Sequence, residues 1–435
     1  MFCRFCGNKL EDEVKVCPHC GESVEEGKKR AARKVISKKV LTIVGVSVAA
    51  VAVVALIALG IASFFKPNDV QYKDSYSATA DSVKDTADVV VTTMGENKLT
   101  NSQLQIFYWY AVTNFLNENS SYLSYYGLDY TKPLDGQIYD EKEGLTWQQY
   151  FLEEAVNTWQ SYQVLYNEAQ KAGYQPPEAY EEYFEELKHY MEDVAEKKKF
   201  ENVDAVIEAD FGPGVTYADY EYYWRLYYMG NFYFSELTNK IEVSQDEIDK
   251  AFTENEETFK SQGITKESGN LVDVRHILIQ PEGGTKSEDG KTTVFSDAEW
   301  EACRVKAQEI LDKWLAGEKT EDSFAKLASE HSTDPGSKSN GGLYRNVYTG
   351  QMVQTFNDWC FDETRKEGDY GLVKTSYGYH IMYFITSEVG WVRYSRSAVL
   401  SEKSTDLLAD MLKESPVQTD YKLISLGVAP LAAAK

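Results

Sequence analysis

Two short stretches near the C-terminus hold the residues best suited to chemistry. Val272-Asp-Val-Arg-His-Ile-Leu-Ile279 alternates side chains with a period of two, which predicts a strand carrying His276 on one face. Gly350-Gln-Met-Val-Gln-Thr-Phe356 places Met352 and Phe356 one helical turn apart, and Tyr377-Gly-Tyr-His-Ile-Met382 brings in His380 on a second strand. A small apolar hollow floored by histidines suits rotation about a prolyl peptide bond better than hydrolysis or group transfer. A Ser/His/Asp triad drawn from Ser332, His380 and Asp334 has no nucleophile-elbow pattern behind it. Rotation needs little from a protein. Amide resonance sets a barrier of ~18–20 kcal/mol. A pocket that holds the proline ring, strips water from the carbonyl and favours the twisted amide lowers that barrier with no covalent intermediate and no cofactor.

The elements that position these residues are legible around them. After the first strand comes a Gly/Lys/Glu-rich loop (281–293), then Ser296-Asp-Ala-Glu299, which caps a helix striped by Cys303, Ala307, Ile310, Leu311 and Trp314. A shorter helix from Glu321, the turn Ser332-Thr-Asp-Pro-Gly-Ser337 and the pair Gly341-Gly342 lead to the last strand. There His380, Met382 and Phe384 share a face. Residues 271–388 thus form a compact α+β unit. Cys303 and Cys360 read as buried free thiols.

In this order and spacing, His-Ile-Leu-Ile, Ser-x-Asp-Pro-Gly-Ser, Gly-Gly, Gly-Gln-Met-Val-x-x-Phe and Thr-x-Tyr-Gly-Tyr-His-Ile resemble the parvulin family of peptidyl-prolyl cis/trans isomerases. With the flanking helices, the chain resembles extracytoplasmic foldases of the PrsA and SurA type. The resemblance implies catalytic roles for His276, Asp334, Met352, Phe356, Thr375 and His380. It implies substrate contacts from Tyr344, Met352, Phe356 and Tyr377, with Thr375 and Tyr377 completing the pocket wall. The two histidines are expected to hydrogen-bond across adjacent strands rather than to transfer protons. Where the family usually has Gly-Gly-Asp-Leu-Gly, this chain reads Gly341-Gly-Leu-Tyr-Arg345, so Tyr344 stands at the pocket leucine. The implied partners are unfolded or partly folded exported polypeptides with Xaa-Pro bonds. The rival from another class is a non-catalytic chaperone or scaffold that keeps the parvulin fold as a peptide-binding platform.

Upstream, 88–260 reads as a mainly α-helical chaperone domain, with capping boxes at Thr100-Asn-Ser-Gln103, Thr146-Trp-Gln-Gln149 and Ser244-Gln-Asp-Glu247. Ten aromatics fall between Tyr217 and Phe234. They form either a client-binding surface or a helix sandwiched on two sides. The tail, 389–435, contains a helix expected at Glu402 to Lys413, and the resemblance has it pack back on the helical domain. The isomerase unit would then be an insert.

The N-terminus is different in kind. Cys3-Arg-Phe-Cys6-Gly and Cys17-Pro-His-Cys20-Gly are matched knuckles offering four soft thiolates, the donor set of a structural zinc ribbon (1–22), with His19 exposed between two of them. A basic linker (23–39) precedes an uncharged apolar run (40–65) long enough to cross a bilayer, and a polar linker (66–87) follows. The basic flank places the N-terminus in the cytoplasm and the remainder outside, anchored by a single pass. A cleaved signal peptide is the competing reading, but the run is about twice the length of a signal core. Residues 1–39 carry a net +4 of the chain's −24, so residues 66–435 carry −28. An ectodomain that acidic argues against nucleic acid as a partner. The whole is multi-domain: zinc ribbon, transmembrane helix, helical chaperone domain and inserted parvulin-like domain, with a membrane surface and a cytoplasmic partner of the ribbon as further contacts.

Overall fold

The computed structural model describes residues 71–287 and 292–427. The expected zinc ribbon and apolar run lie outside these residues; among the described residues no helix is long and apolar enough to cross a membrane.

A hairpin of β1 (Val90–Met94) and β2 (Asn97–Thr100) runs into α1 (Asn101–Glu118), then α2 (Trp147–Lys171), α3 (Ala179–Lys198), α4 (Val203–Phe211), α5 (Tyr217–Thr238) and α6 (Gln245–Glu254). Thr100 and Thr146 start α1 and α2 with reciprocal boxes to Gln103 and Gln149, satisfying N–H groups that the first helical turn leaves open. The aromatic run on α5 is core. Tyr223 packs edge-on to Phe107 and Tyr162 on one side, while Tyr228 meets Tyr183 and Phe184 on the other. None of the ten rings is exposed. Two packed sides absorb a ring-rich helix that one side could not, and this decides for the sandwiched helix over the client surface.

The unit that follows is built on β3 (Asn270–Ile279), α7 (Asp297–Leu315), α8 (Glu321–His331), β4 (Leu343–Tyr348), α9 (Gln354–Cys360), β5 (Tyr370–Lys374) and β6 (Tyr379–Val389). The sheet order is β4-β3-β6-β5, antiparallel throughout. Ile277, Ile279, Ile381 and Tyr383 face α7 and α8, packing on Trp314 and Phe324. Val272, Val274, Met382 and Phe384 face the other way, toward Phe356 and Cys360 of α9. Both faces are covered, so the alternation of β3 sorts residues between two cores rather than between core and water. Cys303 and Cys360 are free and buried.

β6 passes without a loop into α10 (Gly390–Glu414), twelve residues earlier than the start expected at Glu402. That first part carries Trp391 and Tyr394, which pack with Phe252, Phe259 and Ile264 and extend the helix toward the sheet. Leu408 and Leu412 enter the helical core, and a short strand, β7 (Gln418–Thr419), pairs with β1 at Thr92↔Thr419. Arg393 of α10 reaches back to Asp273 of β3 at 2.6 Å, which ties the sheet to the helix that leaves it.

Candidate active site

β3 and β6 are neighbours, and Met382 lies opposite His276 in their register, with His380 opposite Leu278. The two imidazoles therefore meet diagonally, Nδ1 to Nδ1 at 3.0 Å, with ring centroids 5.2 Å apart. His276 Nε2 lies 3.2 Å from Asp334 Oδ2 and 3.0 Å from Ser337 Oγ. On the far side, His380 Nε2 is 2.9 Å from Thr375 Oγ1, which also accepts the Tyr377 backbone N–H. Both histidines, Thr375 and Ser337 are buried.

Proton counting orients this chain. Ser337 donates its one hydroxyl proton to Asp334 Oδ2, and Tyr344 donates its own to the same oxygen at 3.0 Å. No other proton then faces His276 Nε2, so Nε2 carries its own and donates it toward Asp334. A neutral His276 must accept at Nδ1, so His380 donates from Nδ1 and accepts at Nε2 from Thr375. Two neutral rings in a fixed tautomeric order make a floor with a defined dipole, ending on one carboxylate.

The electrostatics agree with that order. Burial holds the pKa of His276 below its ordinary value against the pull of Asp334, and burial together with the neighbouring ring pushes His380 down to about 3. Burial also pushes the Asp334 carboxyl up, but hydrogen bonds from Ser337, Tyr344 and His276 outweigh it and leave it below the usual carboxylate value. The unfolded chain protonates both imidazoles near pH 6.5 while the folded one does not, so it binds more protons and stability drops as pH falls from about 6.5 toward 3. The slope is up to ~1.4 kcal/mol per pH unit for each ring. Buried Glu154 in α2, pushed up to about 8, acts in the opposite direction. The expected result is therefore a difference: urea midpoints at pH 7 and pH 5 should diverge less in His380→Gln than in the parent chain. Equal divergence would count against a neutral His380.

Phe356 stands edge-on to both imidazoles, at 5.5 Å from His276 and 5.3 Å from His380, and Met352 packs half-buried on the same cluster. Tyr344, on β4, stacks on His276 at 4.9 Å. His276, Asp334, Tyr344, Met352, Phe356, Thr375 and His380 are thus brought to one place. Tyr377 joins only through its backbone; its ring is 58% exposed. Sequence reasoning gave no role to Ser337, although its position three residues after Asp334 in a Pro-Gly turn was a signal for a side-chain bond back to the carboxylate. It also missed the hydroxyl contact of Tyr344.

Residues 258–386 match the family model of the PPIC-type PPIASE domain, and residues 2–24 match that of the zinc-ribbon domain. Foldase protein PrsA 1 of Listeria innocua is 28% identical over 211 residues, covering 42% of this chain and 70% of its own length. Foldase protein PrsA 2 of Listeria monocytogenes is 31% identical over 166 residues, covering 34% of this chain and 55% of its own. The chain thus spans between about half and 70% of these relatives. The crystal structure of PrsA from Bacillus subtilis is 20% identical, covering 64% of this chain and 90% of its own at a TM-score of 0.27, an overlay too loose to add to the sequence match.

Proposed function

Because residues 258–386 constitute a parvulin-type peptidyl-prolyl cis/trans isomerase domain, we propose that the protein is an extracytoplasmic foldase that isomerises Xaa-Pro bonds in exported polypeptides held by its helical domain. The observation that carries this reading is one apolar wall, Phe356 with Met352, standing over a floor of two neutral imidazoles that ends on Asp334. In this reading the proline ring sits against Met352 and Phe356. Asp334 shapes the field at the carbonyl as the amide twists and its resonance is lost. His276 holds that carboxylate, His380 fixes the tautomer of His276, and both rings stay neutral. No step needs a covalent bond or a metal.

A protease-coupled prolyl assay on the full chain tests it. Met352→Ala should lower kcat/KM about tenfold, the order expected for loss of one apolar contact on a bound ring. A scaffold that merely keeps the fold would show no catalysed rate to lose.

The remaining parts of the proposal rest on sequence. The run 40–65 would anchor the chain in the cell membrane, with the ribbon in the cytoplasm, facing a partner there, and the foldase outside. Cys3, Cys6, Cys17 and Cys20 would hold a structural zinc ion, as the match over residues 2–24 supports. Chelation should unfold the ribbon and leave the isomerase rate unchanged, because no thiolate of that set belongs to the site. A parallel fall in isomerase rate would show that the two ends are coupled.

A further inference from the structure

Asp334 Oδ2 collects three donors, of which Ser337 comes from its own turn and His276 from β3. The third, the Tyr344 hydroxyl, arrives from β4 and is the only phenol among them. That ring is half-buried and nearly parallel to His276, at an interplanar angle of 23°. In the sheet, β3 lies between β4 and β6, so Tyr344 and His380 flank His276 from either side. The hydroxyl also closes over the turn that carries Asp334: a Cβ on Gly336 would sit 3.3 Å from it. A leucine at this position could line the pocket but could reach neither the carboxylate nor the face of the imidazole with a polar group.

We propose that Tyr344 is a positioning residue of the isomerase site: its hydroxyl fixes the Asp334 carboxylate and its ring braces His276 on the side opposite His380. The inference rests on the isomerase reading above and deepens it. Tyr344 would not contact the rotating bond through this hydroxyl, which is occupied. It acts through Asp334, keeping Oδ2 turned to its three donors. Burial and the adjacent carboxylate raise the Tyr344 pKa, so the phenol remains a donor throughout the working pH range. The titratable groups that face Asp334 are His276 and Tyr344, with His380 one ring behind.

The test compares Tyr344→Phe and Tyr344→Leu with the parent full-length chain. Phe keeps the ring and removes only the hydroxyl. Losing a hydrogen bond to a charged group should cost about tenfold in kcat/KM, carried by kcat with KM little changed. The acid limb of the pH profile should move up, since a carboxylate that loses a donor protonates more readily. Leu should show the same shift plus a change in KM from the altered wall. The Asp334 13Cγ titration, followed by NMR in Tyr344→Phe, should move in the same direction without reference to activity. An unmoved 13Cγ titration together with a kcat/KM within about twofold of the parent overturns the proposal and leaves Tyr344 as pocket wall alone. If the parent chain shows no catalysed rate, the isomerase reading fails, and the 13Cγ titration still decides whether the hydroxyl holds Asp334.

Discussion

Asp334→Ala should lower kcat/KM for a prolyl peptide by about 100-fold, within the range found when one group stabilising a charge redistribution is removed. The reason is more than a lost charge. Ser337, Tyr344 and His276 all donate to Asp334 Oδ2, and alanine leaves three donors aimed at nothing in a partly buried site. Freed from its acceptor, His276 can reverse its tautomer, which reverses the order through His380 to Thr375. Asp334→Asn separates the two contributions. It keeps an acceptor oxygen and the shape but removes the charge, so it should retain more activity than alanine and less than the parent. Rates from the protease-coupled assay, with far-UV and near-UV circular dichroism to show that the fold is kept, give the comparison. An alanine variant within about threefold of the parent would remove Asp334 from the chemistry.

The second large effect is on the fold that holds the site. Gly342 sits at φ +76, and its carbonyl accepts the His276 N–H at 2.8 Å. A Cβ there would lie 2.1 Å from the His276 carbonyl oxygen and 3.0 Å from Ala328 Cβ. Both obstacles are the backbone of β3 and the core face of α8, and neither can swing aside. Gly342→Ala should therefore cost more than the roughly 1–3 kcal/mol of an ordinary left-handed strain, because β4 must shift away from β3. Tyr344 on β4 and His276 on β3 would part together. We expect the isomerase unit to lose its near-UV signal and its activity while the helical body, whose core includes Phe107, Trp159, Tyr223 and Leu408, still unfolds cooperatively on heating. A parent-like melting curve and rate would show that the sheet tolerates the shift.

What the sequence conveyed and what it withheld follow from where the information lies. Val272–Ile279 and Gly378–Ile385 read as strands because their β-prone side chains alternate, and the structure has strands at Asn270–Ile279 and Tyr379–Val389, paired to each other. The capping boxes at Thr100, Thr146, Ser244 and Ser296 open helices as read, since that pattern is local chemistry. Edge strands β4 and β5 escaped notice. Leu343–Tyr348 has polar Arg345-Asn346 in its middle and Tyr370–Lys374 contains a glycine; each is a strand only because a neighbour supplies its hydrogen bonds. α4 escaped likewise, a nine-residue helix with a lone Asn202 cap and no reciprocal partner. At the site, the motif order brought most of the residues to notice, but not the sharing of one oxygen by Ser337, Tyr344 and His276. That depends on two strands and a turn meeting at one atom, which no spacing encodes.

The central claim is that a neutral imidazole floor, one carboxylate and an apolar wall lower an amide rotation barrier. Its most direct test is cis/trans exchange measured by NMR on a short Xaa-Pro peptide in the presence of the folded full-length chain. The account predicts exchange cross-peaks at rates far above the uncatalysed interconversion, which takes tens to hundreds of seconds, and a return toward that background with Asp334→Ala and Met352→Ala. Exchange at the uncatalysed rate across peptides with varied residues before proline, with the parent protein folded, would contradict it.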